Sequence, residues 1–361
     1  MKIAIDGRPL QGQLSGVGKY VLKLVLSLAE RMPDAAIVIF TNKPLDISFT
    51  SSNIVVKQDS KFEKIKPLIW SKFFLGRLLR REKFDYQLFG GTFTPLQKSA
   101  GKKIVVVHDL NHIYARETMS KLHLLTHILF FKNDIKNADY VISNSHGTAK
   151  KLEKEYNIEA NYILHPPIDA SYKVIAEANI KAVLLNLNIK YPYVLTVATQ
   201  EPRKNLVKTV EVFLQLKKDN RINGHKLVLA GSKGWKNTNL QRLINQDDDI
   251  IQLGYVAEEH LPYIYNGASC FVFPSKYEGY GMPASEAVLC GLKPVVTDIT
   301  ELHEAVAEYA YFIDPENKSQ YIDSIINCIA SQQHFNTSAA NKLRKSYEVE
   351  FTGFVKKLKL I

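Results

Sequence analysis

The chain has 361 residues, of which 46% are apolar and 23% are charged, with a formal net charge of +11. This length is comfortable for two domains, the composition is that of a soluble globular protein, and no apolar stretch approaches the ~20 residues that a membrane-spanning helix needs. The basic excess leaves nucleic acid, acidic lipid and an anionic substrate open as partners.

The first predicted element is a short β-strand over Lys2–Asp6, which meets charged residues too early for a signal peptide. A glycine-rich loop and an apolar-periodic helix over 20–32 follow it. Within the loop, Gly16 and Gly18 form a Gly-x-Gly, but Gln13 and Val21 break the Walker A and Gly-x-Gly-x-x-Gly patterns. The pattern alone leaves a tight turn and a ligand-binding loop open.

The segment 57–83 is strongly basic, with nine Lys or Arg and three Asp or Glu residues. Bulky apolar residues, Trp70, Phe73 and Phe74 among them, are mixed with the basic residues at helical spacing. This composition is typical of a helix on an anionic membrane surface. A helix that faces the core and has a solvated basic face is the alternative.

Short β-branched runs alternate with helical stretches along both halves of the chain, which predicts doubly wound parallel sheets of the α/β class. The expected strands after the first are 37–40, 104–107, 140–143, 193–198, 226–230, 250–253, 269–273 and 293–297. We expect a Rossmann-like domain over 1–170, a linker over 171–190, a second Rossmann-like domain over 191–340 and a helix over 341–361. Ligands of such sheets lie at the carboxyl ends of the strands.

The remaining polar clusters do not predict a metal site. His123 and His127 have i, i+4 spacing but lack the accompanying carboxylate of a metal motif, and Asp247–Asp249 reads as a turn before a strand. The three cysteines are widely spaced in apolar surroundings, which favours a reduced, cytoplasmic protein without disulfides or zinc. We expect no cofactor and no metal.

The most informative motif is the run from Glu278 to Glu286, in which two carboxylates bracket a Gly-x-Gly loop and Pro283 suits the first turn of a helix. Bare glycines let a ligand approach the backbone, and the amides of a helix start favour an anion. A diphosphate with a hydroxyl-bearing group on each side fits this pattern, so it indicates a sugar nucleotide. Helix-start acids favoured by the macrodipole and a glycosidase acid pair are the alternatives.

The motif, from Pro274 through Glu286, followed by Gly291-x-x-Pro294-Val295-Val296, resembles the Glu-x7-Glu signature of retaining GT-B glycosyltransferases of family 4. The resemblance implies two Rossmann-like domains facing a cleft, and a final helix that returns to the first domain. It implies that Glu278 and the following amides of Gly279, Tyr280 and Gly281 hold the transferred sugar, and that Glu286 binds the ribose hydroxyls.

Further positions match the family less closely. Arg203 and Lys204 fall where the family places two cations that clamp the donor diphosphate, although many relatives carry the arginine where this chain has Ala198-Thr199. His108, at a strand end, matches an active-site histidine that contacts the transferred sugar. The family also implies a donor-cleft role for Gly16 and Gly18, and a place beside the nucleotide base or its phosphate for Gly231 and Lys233.

The resemblance therefore implies a metal-independent hexosyltransferase in which positioning and charge stabilisation carry the reaction. The opening residues and the 201–205 string are most similar to mannosyltransferase-type enzymes of bacterial surface polysaccharide, lipopolysaccharide or O-antigen. We expect GDP-mannose as donor and a lipid-linked oligosaccharide as acceptor at the inner face of the cytoplasmic membrane. The alternatives are a UDP-hexose or dTDP-sugar transferase and a sugar-nucleotide epimerase; no nucleic-acid motif is present.

Overall fold

The computed structural model describes residues 1–190, 192–235, 238–331 and 335–360. Within this part the chain divides into a first unit, made of 1–112, 121–167 and 346–360, and a second unit, made of 113–120 and the described residues of 168–345. None of the described helices is both long enough and apolar enough to cross a membrane.

The first unit is built on a parallel sheet with the strand order β3-β2-β1-β4-β5-β6-β7. Its strands are β1 (Lys2–Asp6), β2 (Ala36–Thr41), β3 (Ile54–Gln58), β4 (Tyr86–Phe89), β5 (Lys102–Val107), β6 (Tyr140–Ser143) and β7 (Tyr162–Ile163). The inner strands are buried nearly throughout, as expected for a parallel sheet covered by helices on both faces.

The helices that alternate with these strands are α1 (Gly16–Arg31), α2 (Pro67–Phe73), α3 (Leu75–Leu79), α4 (Asn111–Tyr114), α5 (Lys121–Lys136) and α6 (His146–Tyr156). Helix α1 begins at a capping serine, because the Ser15 hydroxyl accepts a hydrogen bond from the Gly18 amide at 3.3 Å. Its apolar stripe, which includes Leu24 and Leu28, is fully buried against the sheet.

The second unit contains a parallel sheet with the order β10-β9-β8-β11-β12-β13. Its strands are β8 (Tyr193–Val197), β9 (Lys226–Ala230), β10 (Ile250–Gly254), β11 (Cys270–Phe273), β12 (Val295–Thr297) and β13 (Tyr311–Ile313). The helices from here on are α7 (Glu177–Asn186), α8 (Leu206–Lys218), α9 (Thr238–Ile244), α10 (Leu261–Gly267), α11 (Met282–Leu289), α12 (Thr300–Val306), α13 (Lys318–Ala330) and α14 (Thr337–Leu360).

Two segments outside the sheets complete the cores. The stretch expected as a linker, 171–190, contains helix α7, which packs Ile180 and Leu184 into the core of the second unit. Helix α14 contributes Leu343 to that core, and its later residues, Phe351 among them, to the core of the first unit.

In both sheets the strand order reverses beside the first strand of the unit. The loops after β1 and β4 are therefore neighbours in the first unit, and the loops after β8 and β11 are neighbours in the second. Ligands of open α/β sheets bind at such a reversal, outside the carboxyl ends of the strands. The two loops of the second unit carry Arg203, Lys204 and Glu278.

Candidate active site

The loop after β8 presents two adjacent cations. A single turn of 3-10 helix, Pro202–Lys204, follows Glu201, and Asn205 then takes the left-handed conformation, with φ of 56°, before α8 begins. Asparagine adopts this backbone region more readily than most residues, so the turn can end abruptly. The turn directs both Arg203 and Lys204 towards the loop after β11.

Glu278 lies between these two cations. The Lys204 ammonium donates to its Oε1 at 2.6 Å and the Arg203 guanidinium donates to its Oε2 at 3.0 Å. The side chains of Glu278 and Lys204 are 7% and 12% exposed, so these are largely desolvated, charge-assisted contacts. Arg203 also donates to Glu201 at 2.6 Å, which places the guanidinium between two carboxylates.

The surroundings of this cluster fix its charges. Burial alone would raise the pKa of Glu278, but Lys204 and Arg203 outweigh burial and hold that pKa at about 2. Burial, and then the neighbouring guanidinium, lower the pKa of Lys204, while Glu278 opposes that shift. Glu278 is therefore a carboxylate at neutral pH, and it supplies negative charge to both cations.

Backbone contacts hold the two loops together. The Arg203 guanidinium donates to the Tyr277 carbonyl at 2.7 Å, and the Lys276 amide donates to the Arg203 carbonyl at 2.9 Å. The position of Glu278 is consequently set from both sides of the strand reversal.

The glycine loop runs from Glu278 into α11 through three buried residues, Gly279, Tyr280 and Gly281. Gly281 has φ of +107°, and a Cβ there would lie 2.4 Å from the Leu302 side chain. Any other residue at this position is strained for both reasons. This glycine is thus required for the chain to enter α11 at Met282.

Glu286 lies one turn inside α11 and is only 4% exposed. The Tyr265 hydroxyl donates to its Oε2 at 2.8 Å. Burial, and then the nearby Glu286 charge, raise the pKa of Tyr265 well above its usual value, so the phenol stays protonated and remains a donor. A neutral phenol on one carboxylate oxygen fixes the orientation of Glu286.

The loop after β9 approaches the loop after β8 closely. Gly231 has φ of +136°, and a Cβ there would lie 2.1 Å from the Ala198 carbonyl oxygen. Two residues later, Lys233 forms an isolated parallel β-bridge with Gln200. The Gly231 backbone therefore passes directly beside Ala198 and Thr199. The arginine that contacts Glu278 comes from the next turn, as Arg203.

A short segment, 113–120, contacts two of these loops and belongs to the second unit. We call it the strap. The rings of Tyr114 and Tyr277 are parallel to within 8°, with centroids 5.8 Å apart, and the Trp235 indole donates to the Thr118 carbonyl at 2.6 Å. This role of Tyr114 and Tyr277 was not predicted from the sequence, because no local pattern marks a contact between such distant residues.

In the first unit, the predicted site residues lie at the carboxyl ends of β1 and β5. Gly18 is required by packing, since a Cβ would lie 2.5 Å from the Pro9 carbonyl oxygen, whereas a Cβ on exposed Gly16 would meet open space. His108 directly follows β5, and its Nε2 lies 2.6 Å from the Gly90 carbonyl oxygen. Burial lowers the pKa of His108, so the ring is neutral at pH 7 and donates from Nε2.

The basic segment 57–83 uses several of its residues internally. Trp70 is fully buried and its indole donates to Asp59 at 2.9 Å. Arg77 pairs with the same carboxylate at 2.7 Å. Phe73, Arg80 and Arg81 are exposed.

The two clusters interpreted as non-metal sites have internal partners. Lys217 pairs with Asp247 at 2.7 Å and with Asp249 at 2.5 Å, and Lys226 also pairs with Asp249. His127 packs its ring against Phe93 with centroids 5.0 Å apart. Both groups therefore take part in internal contacts of the fold.

Taken together, the second unit combines a desolvated cation pair, a carboxylate held between them, a bare glycine loop and a second buried carboxylate. Cations in a site of low dielectric stabilise negative charge that grows on a leaving group. The carboxylates can accept hydrogen bonds from hydroxyl groups. This is chemistry for a ligand that has both phosphate and sugar hydroxyls.

Comparison with known proteins agrees with this chemistry. Residues 179–348 match the family model described as glycosyl transferases group 1. O-antigen chain mannosyltransferase B of Escherichia coli is 27% identical over 339 residues, which cover 88% of this chain and 87% of that protein. The chain is therefore similar to glycosyltransferases over most of its length, and the matched family model covers most of the second unit.

Solved structures match the whole chain. Sucrose-phosphate synthase from Thermosynechococcus elongatus superposes with a TM-score of 0.77 at 17% identity and covers 100% of this chain and 98% of its own. Anabaena HepE in complex with UDP-glucose gives 0.70 at 15% identity, covering 100% of both chains. The predicted fold class, two Rossmann-like parallel-sheet domains of the GT-B type, is confirmed.

Proposed function

We propose that this chain is a retaining glycosyltransferase that moves mannose from GDP-mannose to a lipid-linked oligosaccharide during synthesis of a bacterial surface polysaccharide. The observation that carries the proposal is the meeting of Arg203 and Lys204 with Glu278 at the strand reversal of the second unit. The similarity to an O-antigen mannosyltransferase supports mannose as the sugar and a surface polysaccharide as the product.

In this proposal the cations take the donor diphosphate, whose charge grows as the glycosidic bond breaks. Arg203 and Lys204 are already held in place by Glu278 and the Tyr277 carbonyl, so little reorganisation accompanies the reaction. Glu278 and the amides of Gly279, Tyr280 and Gly281 hold the sugar. Glu286, oriented by Tyr265, accepts hydrogen bonds from the ribose hydroxyls.

The acceptor hydroxyl attacks from the face that the diphosphate leaves, and the diphosphate takes its proton, which retains the anomeric configuration. The Nε2–H of neutral His108 is used by the Gly90 carbonyl, so its Nδ1 accepts a hydrogen bond from a hydroxyl of the transferred sugar. Gly16 and Gly18 border the donor on the side of the first unit. Gly231 and Lys233 lie beside the base and its phosphate. The cation pair replaces a metal ion, so the reaction is metal-independent.

The lipid-linked acceptor places the enzyme at the cytoplasmic face of the membrane as a peripheral protein. A lipid-linked saccharide cannot leave the bilayer, because its lipid would expose a long apolar surface to water. The net charge of +11 favours approach to such an anionic surface.

A thermal-shift panel of GDP-mannose, UDP-glucose and a dTDP-sugar tests the donor, and slow hydrolysis of the tightest ligand tests transfer to water. GDP-mannose should give the largest shift, and hydrolysis should persist in EDTA. A larger shift with UDP-glucose would identify UDP-glucose as the donor and would leave the assignment as a transferase unchanged. Conversion of the donor into another nucleotide sugar, seen by NMR without acceptor, would indicate an epimerase instead.

A further inference from the structure

Helix α5 turns its apolar side chains outward. Four large aliphatic side chains are more than half exposed: Leu122 at 61%, Leu125 at 51%, Ile128 at 57% and Leu129 at 59%. Spacings of three, four and seven residues place them on one side of the helix. Helices of globular proteins normally bury such a stripe, so its exposure indicates an interaction surface.

A second group of exposed apolar residues lies on the neighbouring elements. Ile69 and Phe73 of α2 and Leu96 are 45%, 48% and 48% exposed. Lys72 connects the two groups, because its ammonium is buried, pairs with Asp134 of α5 and lies 4.4 Å from the Phe130 ring. The Lys72 carbonyl also accepts from the Leu96 amide at 2.9 Å. We call these seven apolar residues the apolar surface.

The charges beside the apolar surface are all of one sign on α5. Lys121, Lys132 and Lys136 are exposed, and their spacing from Leu125 and Leu129 puts them on the same side of the helix. The one acidic residue in the α5 sequence is buried Asp134, whose charge is matched by Lys72. An amphipathic helix with lysines beside its apolar stripe complements an anionic lipid interface.

We propose that the apolar surface is a docking site for an anionic phospholipid membrane, with the leucines of α5 entering the interface and its lysines on the lipid phosphates. This goes beyond the proposed transfer reaction and assigns the contact chiefly to α5. Within the basic segment 57–83, Trp70 and Arg77 both contact Asp59 and are therefore used inside the fold. Ile69 and Phe73 of the same segment are exposed and belong to the apolar surface.

A second copy of the chain fits this surface less well than a membrane does. A two-fold dimer places the same patch of each subunit opposite itself. The lysines of α5 would then face the lysines of the other copy without an acidic partner on that helix. Lipid phosphates supply the missing negative charge.

Co-sedimentation with vesicles tests the proposal in the full chain without donor or acceptor. Phosphatidylcholine vesicles that contain phosphatidylglycerol should bind the wild type, with an affinity that falls as salt rises, and phosphatidylcholine alone should bind weakly. Leu125→Ser with Leu129→Ser should lower the affinity at least about a hundredfold, because two leucines no longer enter the interface. The matched control, Val174→Ser with Leu185→Ser, removes side chains that are 53% and 76% exposed in the second unit and should bind like wild type.

A second variant does not depend on the leucines. Lys121→Gln, Lys132→Gln and Lys136→Gln together should lower affinity roughly a hundredfold, at about fivefold for each lysine, and flatten the salt dependence. Wild-type vesicle binding by the folded leucine variant, judged by circular dichroism and thermal melting, would overturn the proposal. A wild-type dimer in ultracentrifugation that the leucine variant abolishes, without vesicle binding, would assign the surface to a second copy. Vesicle binding in a chain that fails to turn over any nucleotide sugar would reject the proposed function and leave this inference standing.

Discussion

The ammonium of Lys204 lies 2.6 Å from Oε1 of Glu278, and its neighbour Arg203 reaches the other oxygen of the same carboxylate. One buried carboxylate thus serves as counterion to both cations that we assign to the diphosphate. The two cations are held apart and oriented before any ligand arrives.

Replacement of Glu278 by glutamine should change how stability depends on pH. The pKa of Glu278 is lowered from 4.5 to about 2 in the folded chain. Its contribution to the free energy of unfolding is therefore present above pH ~4.5 and lost as pH falls towards ~2, with a size of roughly 3 kcal/mol. Urea unfolding at a series of pH values should show a shallower acid loss for Glu278→Gln than for the wild type.

The matched control for that measurement is Glu316→Gln. Glu316 pairs with Lys208 at 3.3 Å, but its side chain is 68% exposed. An exposed pair contributes little to stability, so this variant should follow the wild-type pH profile. Identical acid profiles for Glu278→Gln and wild type would show that the cations do not hold the Glu278 charge.

Removal of either cation should slow turnover more than it weakens donor binding. Charge on the diphosphate grows towards the transition state, so Lys204→Ala and Arg203→Ala should each lower kcat on the order of a hundredfold, with a smaller rise in donor KM. Lys208→Ala, on the following helix, is the control and should keep wild-type kcat. Unchanged turnover in Arg203→Ala would mean that another residue serves as the diphosphate arginine.

Glu286 should govern donor affinity through the ribose. Glu286→Ala should weaken GDP binding in calorimetry by roughly tenfold or more, because a hydrogen bond to a buried charged group is worth about 1.5–3 kcal/mol. Tyr265→Phe removes only the phenol that donates to Glu286 at 2.8 Å, so it should cause a smaller loss. Equal GDP affinity in Glu286→Ala and wild type would remove Glu286 from the nucleotide site.

Much of this fold follows from local patterns. Buried β-branched runs such as Ile104–Val107 predict parallel strands because both faces of the sheet are covered. The Glu278 loop is also predicted from a short stretch of sequence. Its glycines, its proline and its two carboxylates all lie within the nine residues from Glu278 to Glu286. The stretch 171–190 was expected as a charged, helix-prone connection, and the packing of Ile180 and Leu184 into the core of the second unit was not predicted.

Contacts between distant parts of the chain could not be predicted in the same way. Arg203 and Glu278 are 75 residues apart, and their pairing depends on β8 and β11 being neighbours in the sheet. Trp70 shows this limit more clearly. The composition of the segment 57–83 suggested a helix that faces a membrane, yet the Trp70 indole is buried and donates to Asp59. Side-chain exposure depends on the tertiary packing of each residue, which periodicity alone does not specify.

The strap should affect catalysis through Tyr277. The Tyr114 ring stacks on the Tyr277 ring, and the Tyr277 carbonyl accepts a hydrogen bond from Arg203 at 2.7 Å. The stack therefore supports the position of Arg203 indirectly, through Tyr277. Tyr114→Ala should lower kcat by about two- to tenfold, as expected for an aromatic pair worth about 0.5–1.5 kcal/mol.

Tyr114→Phe keeps the ring and should restore wild-type kcat, whereas a purely structural role would change thermal stability without a selective effect on kcat. Trp235→Phe is the companion variant, since it removes the hydrogen bond to the Thr118 carbonyl and keeps an aromatic side chain. It should loosen the other end of the strap and cost about 1 kcal/mol of stability. If Tyr114→Ala turned over donor at the wild-type rate, the Tyr277 carbonyl would not need the stack, and the strap would have no part in positioning Arg203.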